Sequence, residues 1–149
     1  MVQAKDIMTQ EVITVKETTP VSEVAQILTE KHISGVPVLN PNHEVVGIVC
    51  ESDIIDQTKR VHLPTVVNLM GYIVFLESGK KFEKELKKMI GLIAADIMTR
   101  EVKTVTPETS LEEIATLMAE FRVHSIPVLD GKKLVGMIGK KDIVRSLAH

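Results

Sequence analysis

Two stretches of this chain repeat one another. Setting Ala4-Lys5-Asp6-Ile7-Met8-Thr9 on Ala94-Ala95-Asp96-Ile97-Met98-Thr99 opens a correspondence that runs to the C-terminus, with one residue fewer in the second copy between Leu129 and Leu134. Of the 50 aligned pairs 20 are identical, too many for two unrelated amphipathic patterns. Each copy is therefore one structural unit. The sequence divides into a first unit over 1–57, an insertion over 58–93 that resembles neither copy, and a second unit over 94–149. A unit of that size covers little apolar surface by itself, so the two copies are expected to pack together.

The same order of elements is read twice. Val12-Ile13-Thr14-Val15 and Val102-Lys103-Thr104-Val105 are short β-branched strands. Apolar residues then recur at helical spacing, Val21, Val24, Ala25 and Leu28 in one copy and Leu111, Ile114, Ala115 and Met118 in the other, giving each helix one buried stripe. Thr19 is placed to cap the first helix with Pro20 at its first position, and Thr109 with Glu112 has the spacing of a capping box. Two apolar strands follow, Gly35–Leu39 and Val45–Val49, then Ser125–Leu129 and Leu134–Ile138, each pair joined by a turn-forming segment. A final helix opens near Ser52 and near Lys140. The unit is β-α-β-β-α, and the fold class is α/β (α+β), with a small sheet carrying two helices on one face.

Composition narrows the function classes. With 44% hydrophobic and 26% charged residues the 149-residue chain is globular rather than disordered. Eighteen basic against 20 acidic residues leave a net charge of −2, and aromatics are 3% with no Trp. Neither a basic surface nor base-stacking platforms for nucleic acid are provided. The longest apolar run, Val66 to Leu76, is broken by Asn68 and Gly71 and is about half the roughly 20 residues of a membrane-spanning helix. No basic segment followed by an apolar core marks a signal peptide, and the single cysteine, Cys50, rules out an internal disulfide, so a soluble cytoplasmic chain is expected.

The ordered set of motifs, Asp6-Ile7-Met8-Thr9, Thr14-Val15, Val36-Pro37-Val38, Gly47-Ile48-Val49 and Asp53-Ile54-Ile55, returns as Asp96–Thr99, Thr104-Val105, Ile126-Pro127-Val128, Gly136-Met137-Ile138 and Asp142-Ile143-Val144. That set resembles the cystathionine-β-synthase (CBS) domain family over everything except the insertion. The resemblance implies two units packed about a pseudo-twofold axis into a CBS pair with two clefts. It also implies regulatory binding of an adenosine-containing ligand of the AMP, ADP, ATP or S-adenosylmethionine class, association as a homodimer, and signalling to a protein effector by a change of conformation or oligomer.

Asp53 and Asp142 each sit in the first turn of a final helix, where the helix dipole favours a carboxylate. The residues alone read more readily as helix caps. Two acceptor oxygens also suit a vicinal diol, and the resemblance assigns both aspartates to a ligand ribose. By the same resemblance one adenine slot is made by Ile13, Ile33, Ser34, Gly35 and Val36, and a second by Lys103, Val123, His124, Ser125 and Ile126. For the apolar members, plain core packing is the other reading. Phosphates call for cations, and the candidates are Arg122, His124, Lys140 and Lys141 with the turn residues Lys132 and Lys133. The resemblance sets His124 against a ligand held by Asp53. Lys103 in place of Ile13 makes the two clefts unequal, and Cys50 and Gly139 stand where the family's ligand motif often carries Ser or Thr.

Catalytic and metal signals are missing. His32, His43, His62, His124 and His149 form no zinc-binding spacing, and Cys50 has no motif of a nucleophile around it. In the insertion, Phe82, Leu86, Met89 and Ile93 make a helical stripe beside a lysine-rich face that reads most simply as solvated. A short strand and this amphipathic helix are the expectation there. Two functions stand: an adenosine-nucleotide sensor without enzymatic activity, and a dimerisation or protein-interaction scaffold that has lost its ligand.

Overall fold

Each copy begins with a single helical turn, α1 over Ala4–Ile7 in the first and α4 over Ala94–Ile97 in the second, in the computed structural model, which describes residues 1–60 and 91–148. The first copy continues with β1 (Val15–Lys16), α2 (Val21–Lys31), β2 (Gly35–Leu39), β3 (Val45–Cys50) and α3 (Glu51–Arg60). The second continues with α5 (Leu111–Phe121), β4 (Ser125–Asp130), β5 (Lys133–Gly139) and α6 (Lys140–Ser146). β1 runs parallel to β2, with Val15 opposite Val38, and β2 is antiparallel to β3. β4 and β5 form the equivalent antiparallel pair, beside which Val105 makes a single parallel bridge to Val128. Of the expected first strands only the last residues, Val15 and Val105, each 5% exposed, reach the sheets, and Lys16 extends the first by one pair.

The helices follow their apolar stripes with small corrections. Val21, Val24, Ala25 and Leu28 are all buried along α2. On α5, Ile114 and Met118 are buried, but Ala115 is exposed and Leu117 packs against the core in its place. Both helix starts lie one residue beyond the expected caps. Pro20 is the N-cap of α2, while Thr19 Oγ1 accepts from the Lys16 N–H at 2.9 Å and closes the preceding turn. Ser110, not Thr109, caps α5, its Oγ accepting from the Glu113 N–H at 3.2 Å. Thr109 Oγ1 instead takes the Thr106 N–H at 3.0 Å. Both helices end in a left-handed residue, His32 at φ 54° and Arg122 at φ 53°, a C-terminal stop that glycine usually provides.

The two cores are built by exchange. Ala94, Ile97 and Met98 of the second copy are buried with Val24, Val36, Val38 and Val49 of the first. Conversely Ala4, with Ile7 and Met8 beside it, joins Ile114, Ile126, Val128 and Ile138. Backbone bonds seal the exchange: the Thr9 N–H donates to Met137 O at 2.8 Å and the Met137 N–H returns at 3.0 Å, while Thr99 and Ile48 do the same at 2.8 and 3.0 Å. A glycine receives each methionine. A Cβ on Gly136 would stand 2.8 Å from Met8 Cγ and 3.0 Å from its Cβ, and one on Gly47 would meet Met98 in the same way. The sequence repeat is thus not the packing unit, since each copy's opening turn completes the other copy's core. The strand and lysine-rich helix expected within the 58–93 insertion fall mostly on 61–90, outside the described residues, while Ile93, expected on that helix's apolar stripe, is instead the extended residue that precedes α4.

Gly136→Ala should destabilise the fold by about 1–3 kcal/mol by driving Met8 from its seat, read as a lowered urea midpoint, and Gly47→Ala should do the same through Met98. A midpoint unchanged in both would show that the methionines are not seated there. Arg122→Gly should stabilise by about 0.5–1 kcal/mol in the same titration, because glycine adopts the left-handed stop without a steric cost.

Candidate ligand-binding cleft

All four single-turn or final helices of the repeat carry an Asp at the third helical position, where its side chain can accept the N–H of the residue before the helix. Gln3 donates to Asp6 Oδ2 at 2.9 Å, Ile93 to Asp96 Oδ2 at 2.8 Å, Cys50 to Asp53 Oδ2 at 2.7 Å, and Gly139 to Asp142 Oδ2 at 2.8 Å. Helix capping therefore occupies one oxygen of each aspartate and leaves Oδ1 to face something else. Asp53 Oδ1 accepts the Thr99 hydroxyl at 3.0 Å. Among the described residues Asp142 Oδ1 meets only Arg145, at 3.8 Å, whose side chain is 74% exposed.

Asp142 opens onto a cleft of about 740 Å³ between the copies. One wall is apolar and comes from the first copy: Val12, Ile13, Ile33 and Gly35, with Leu28 behind them. The facing wall comes from the second copy and is polar, with Asp142, Lys140, Lys141 and Arg145. Thr9, Glu11, Lys31, Glu51 and Met137 are among its other lining residues. The copies touch at its floor, where Ser34 Oγ and Ser125 Oγ lie 2.7 Å apart. Gly35 permits that approach, since a Cβ there would sit 3.1 Å from Cys50 Sγ and 3.4 Å from Ser125 Cβ. Lys141 Nζ donates to His32 O at 2.9 Å, tying α6 to the end of α2.

Of the residues singled out in the sequence, Ile13, Ile33, Ser34, Gly35, Ser125, Lys140, Lys141 and Asp142 come together on this cleft. Val36 and Ile126 do not; both are fully buried in the cores, where the adjoining strand turns their side chains inward. Val123 packs half-buried against the second core. His124 is exposed and its carbonyl accepts the Lys140 N–H at 3.1 Å, and Arg122 is the exposed stop of α5. Lys103 holds its ammonium 4.1 Å from the Phe121 ring centre. None of these four lines the Asp142 cleft. Thr9, Glu11, Val12, Glu51, Met137 and Arg145 are lining residues that the sequence reading passed over. The duplicated Thr9 and Thr99 were the available signal for the first of them.

Burial acts on the ionisable groups behind the other aspartate. It pushes the Asp53 carboxyl up, against the lowering effect of the Cys50 and Thr99 hydrogen bonds, so the ionised form is held at a cost. Burial also drives the Cys50 thiol up to about 12, with the nearby Asp53 and Glu51 carboxylates adding to the rise. The thiol stays protonated at neutral pH and is a poor nucleophile. Iodoacetamide at pH 8 should alkylate Cys50 on the order of a thousandfold more slowly than an exposed cysteine, with the rate rising about tenfold per pH unit. Rapid labelling followed by mass spectrometry would contradict this.

Among the described residues no group of three His, Cys, Asp or Glu side chains is placed to hold a metal, and no helix is long and apolar enough to cross a membrane. Against known proteins, the chain is 29% identical over 153 residues to protein MJ1426 of Methanocaldococcus jannaschii, covering 96% of this chain and 89% of that one. It is 28% identical over 152 residues to CBSX2, a chloroplastic CBS domain-containing protein of Arabidopsis thaliana, a match that covers 95% of this chain but 61% of the plant protein. The crystal structure of CBSX2 in complex with AMP is similar with a TM-score of 0.72 and 26% identity, over 98% of this chain and 96% of that one. The model of the CBS domain family matches residues 4–60 and 94–149. The chain, with its two exchanged repeats and the cleft between them, belongs to the CBS domain family as a tandem pair.

Proposed function

We propose that the chain is a regulatory module that binds an adenosine-containing ligand, AMP, ADP, ATP or S-adenosylmethionine, in the Asp142 cleft and signals occupancy through the arrangement of its two copies. The observation that carries this reading is the pairing of an apolar slot with a carboxylate across one cleft. Ile13 and Ile33 are suited to flank a flat base, with the backbone about Ser34 and Gly35 available to its edge. Asp142 Oδ1 lies free to take ribose hydroxyls once Arg145 yields its 3.8 Å contact. Lys140 and Arg145 then supply charge for a phosphate. The AMP complex of CBSX2, a relative similar along nearly the whole chain, supports the ligand class.

The charge of the cleft favours the smaller anions. Lys31, Lys140, Lys141 and Arg145 face Glu11, Glu51 and Asp142, so cations exceed carboxylates by one. A one-charge excess offsets a monophosphate more nearly than the larger charge of a triphosphate. Because the two walls belong to different copies, a ligand that touches both favours one relative placement over others. A homodimer relaying that placement to a protein effector belongs to the same reading. Ile55 and Val144, 55% and 67% exposed at matching positions of α3 and α6, offer it apolar surface.

Calorimetric titration with AMP, ADP, ATP and S-adenosylmethionine tests this. AMP should bind more tightly than ATP, and Asp142→Ala should weaken AMP about ten- to a hundredfold by removing charged hydrogen bonds to the ribose. No heat from any of the four at millimolar concentration would overturn the reading in favour of a scaffold without ligand.

A further inference from the structure

The two aspartates share a motif and a capping bond, yet they stand in different surroundings. We infer that the chain holds one adenosine ligand, in the Asp142 cleft, and that Asp53 instead staples the two copies together. The inference rests on the adenosine reading above and adds which site is used and what the other aspartate does.

Three differences carry it. Asp53 has both oxygens engaged within the protein, Oδ2 by the Cys50 N–H at 2.7 Å and Oδ1 by the Thr99 hydroxyl at 3.0 Å. Thr99 follows the exchanged turn of the second copy, so this bond crosses between copies beside the paired backbone bonds of Thr99 and Ile48. A ribose would have to break it. The matching hydroxyl, Thr9, lines the Asp142 cleft, and among the described residues it makes no bond to Asp142, whose Oδ1 has only the long contact to an exposed Arg145. Next, Ile13, an apolar wall of the Asp142 cleft, is matched in the second copy by Lys103, whose ammonium rests 4.1 Å from the Phe121 ring centre. A stacked cation–aromatic pair thus replaces the aliphatic surface that a base would lie on. Last, Asp53 is followed three residues later by Asp56, where Asp142 is followed by Arg145. The first helix therefore sets a second negative charge beside its aspartate, and the second a positive one.

The test is AMP titration of the intact chain and of Asp142→Asn, Asp53→Asn and Thr99→Val, each also followed by thermal melting. Asparagine keeps a capping oxygen in both aspartate variants, and Thr99→Val removes only the hydroxyl that Asp53 accepts. We expect one AMP per wild-type chain, a loss of tenfold or more in affinity with Asp142→Asn, and affinity within about twofold of wild type with Asp53→Asn and Thr99→Val. Thr99→Val should melt several degrees lower, and Asp53→Asn, whose amide can still donate to the Thr99 hydroxyl, should fall by less. Two AMP per chain, or a tenfold loss with Asp53→Asn or Thr99→Val, overturns the one-site assignment while leaving the adenosine reading intact. Unchanged melting in both overturns the staple. Absence of AMP binding in the wild type, with the other adenosine ligands equally silent, overturns the adenosine reading and the site assignment with it. If Asp53→Asn fails to fold, Thr99→Val carries the same decision.

Discussion

Everything in this structure hangs on the reciprocal seating of Met8 against Gly136 and Met98 against Gly47. Each thioether side chain occupies space that exists because the facing strand residue has no Cβ. Met is well suited to such a slot, being unbranched and able to follow an irregular surface. The exchange buries Ala4 and Ala94 completely and adds a pair of backbone hydrogen bonds to each sheet from the other copy. Neither copy then has a closed core of its own, and the relative placement of the two becomes part of folding rather than an afterthought of docking.

The cleft follows from that placement. With α1 drawn onto the second copy, Val12 and Ile13 are carried past the mouth of the second copy's final helix, and the apolar slot of one repeat faces the carboxylate of the other. The two serines at the floor and the Lys141 bond to His32 fix the distance between the walls. A ligand bridging them meets surfaces whose separation is already set by packing, which lowers the ordering cost of binding. Capping and recognition are also compatible in one residue, since Asp142 gives Oδ2 to its own helix and keeps Oδ1 for the cleft.

Much of this was legible in the chain. The repeat located both units, and the periodicity of α2 named its buried face residue by residue, because amphipathic burial is a local property of helix geometry. Errors arose where two local solutions lay within one residue of each other. Thr19 and Thr109 carry good capping side chains, but each was drawn into the turn before its helix, leaving Pro20 and Ser110 at the boundary. Ala115 fits the apolar stripe of α5, yet Leu117 has more surface to bury and took the core-facing place. The opening turns at Ala4 and Ala94 carry no periodic signal, because four residues are too few to show one.

By itself the sequence determined the duplication, the order of elements after each opening turn, the family and the aspartates at the head of each final helix, all of which depend on residues near one another along the chain. Tertiary structure alone decided which slot meets which aspartate, that Val36 and Ile126 face the core, and that Thr99 lies on Asp53. Those outcomes depend on contacts between residues tens of positions apart. A pattern repeated in both copies cannot by itself say whether a unit pairs with its own opening turn or with its partner's. The packing decides it: Met98 lies over Gly47 and Met8 over Gly136, each methionine on the other copy's strand.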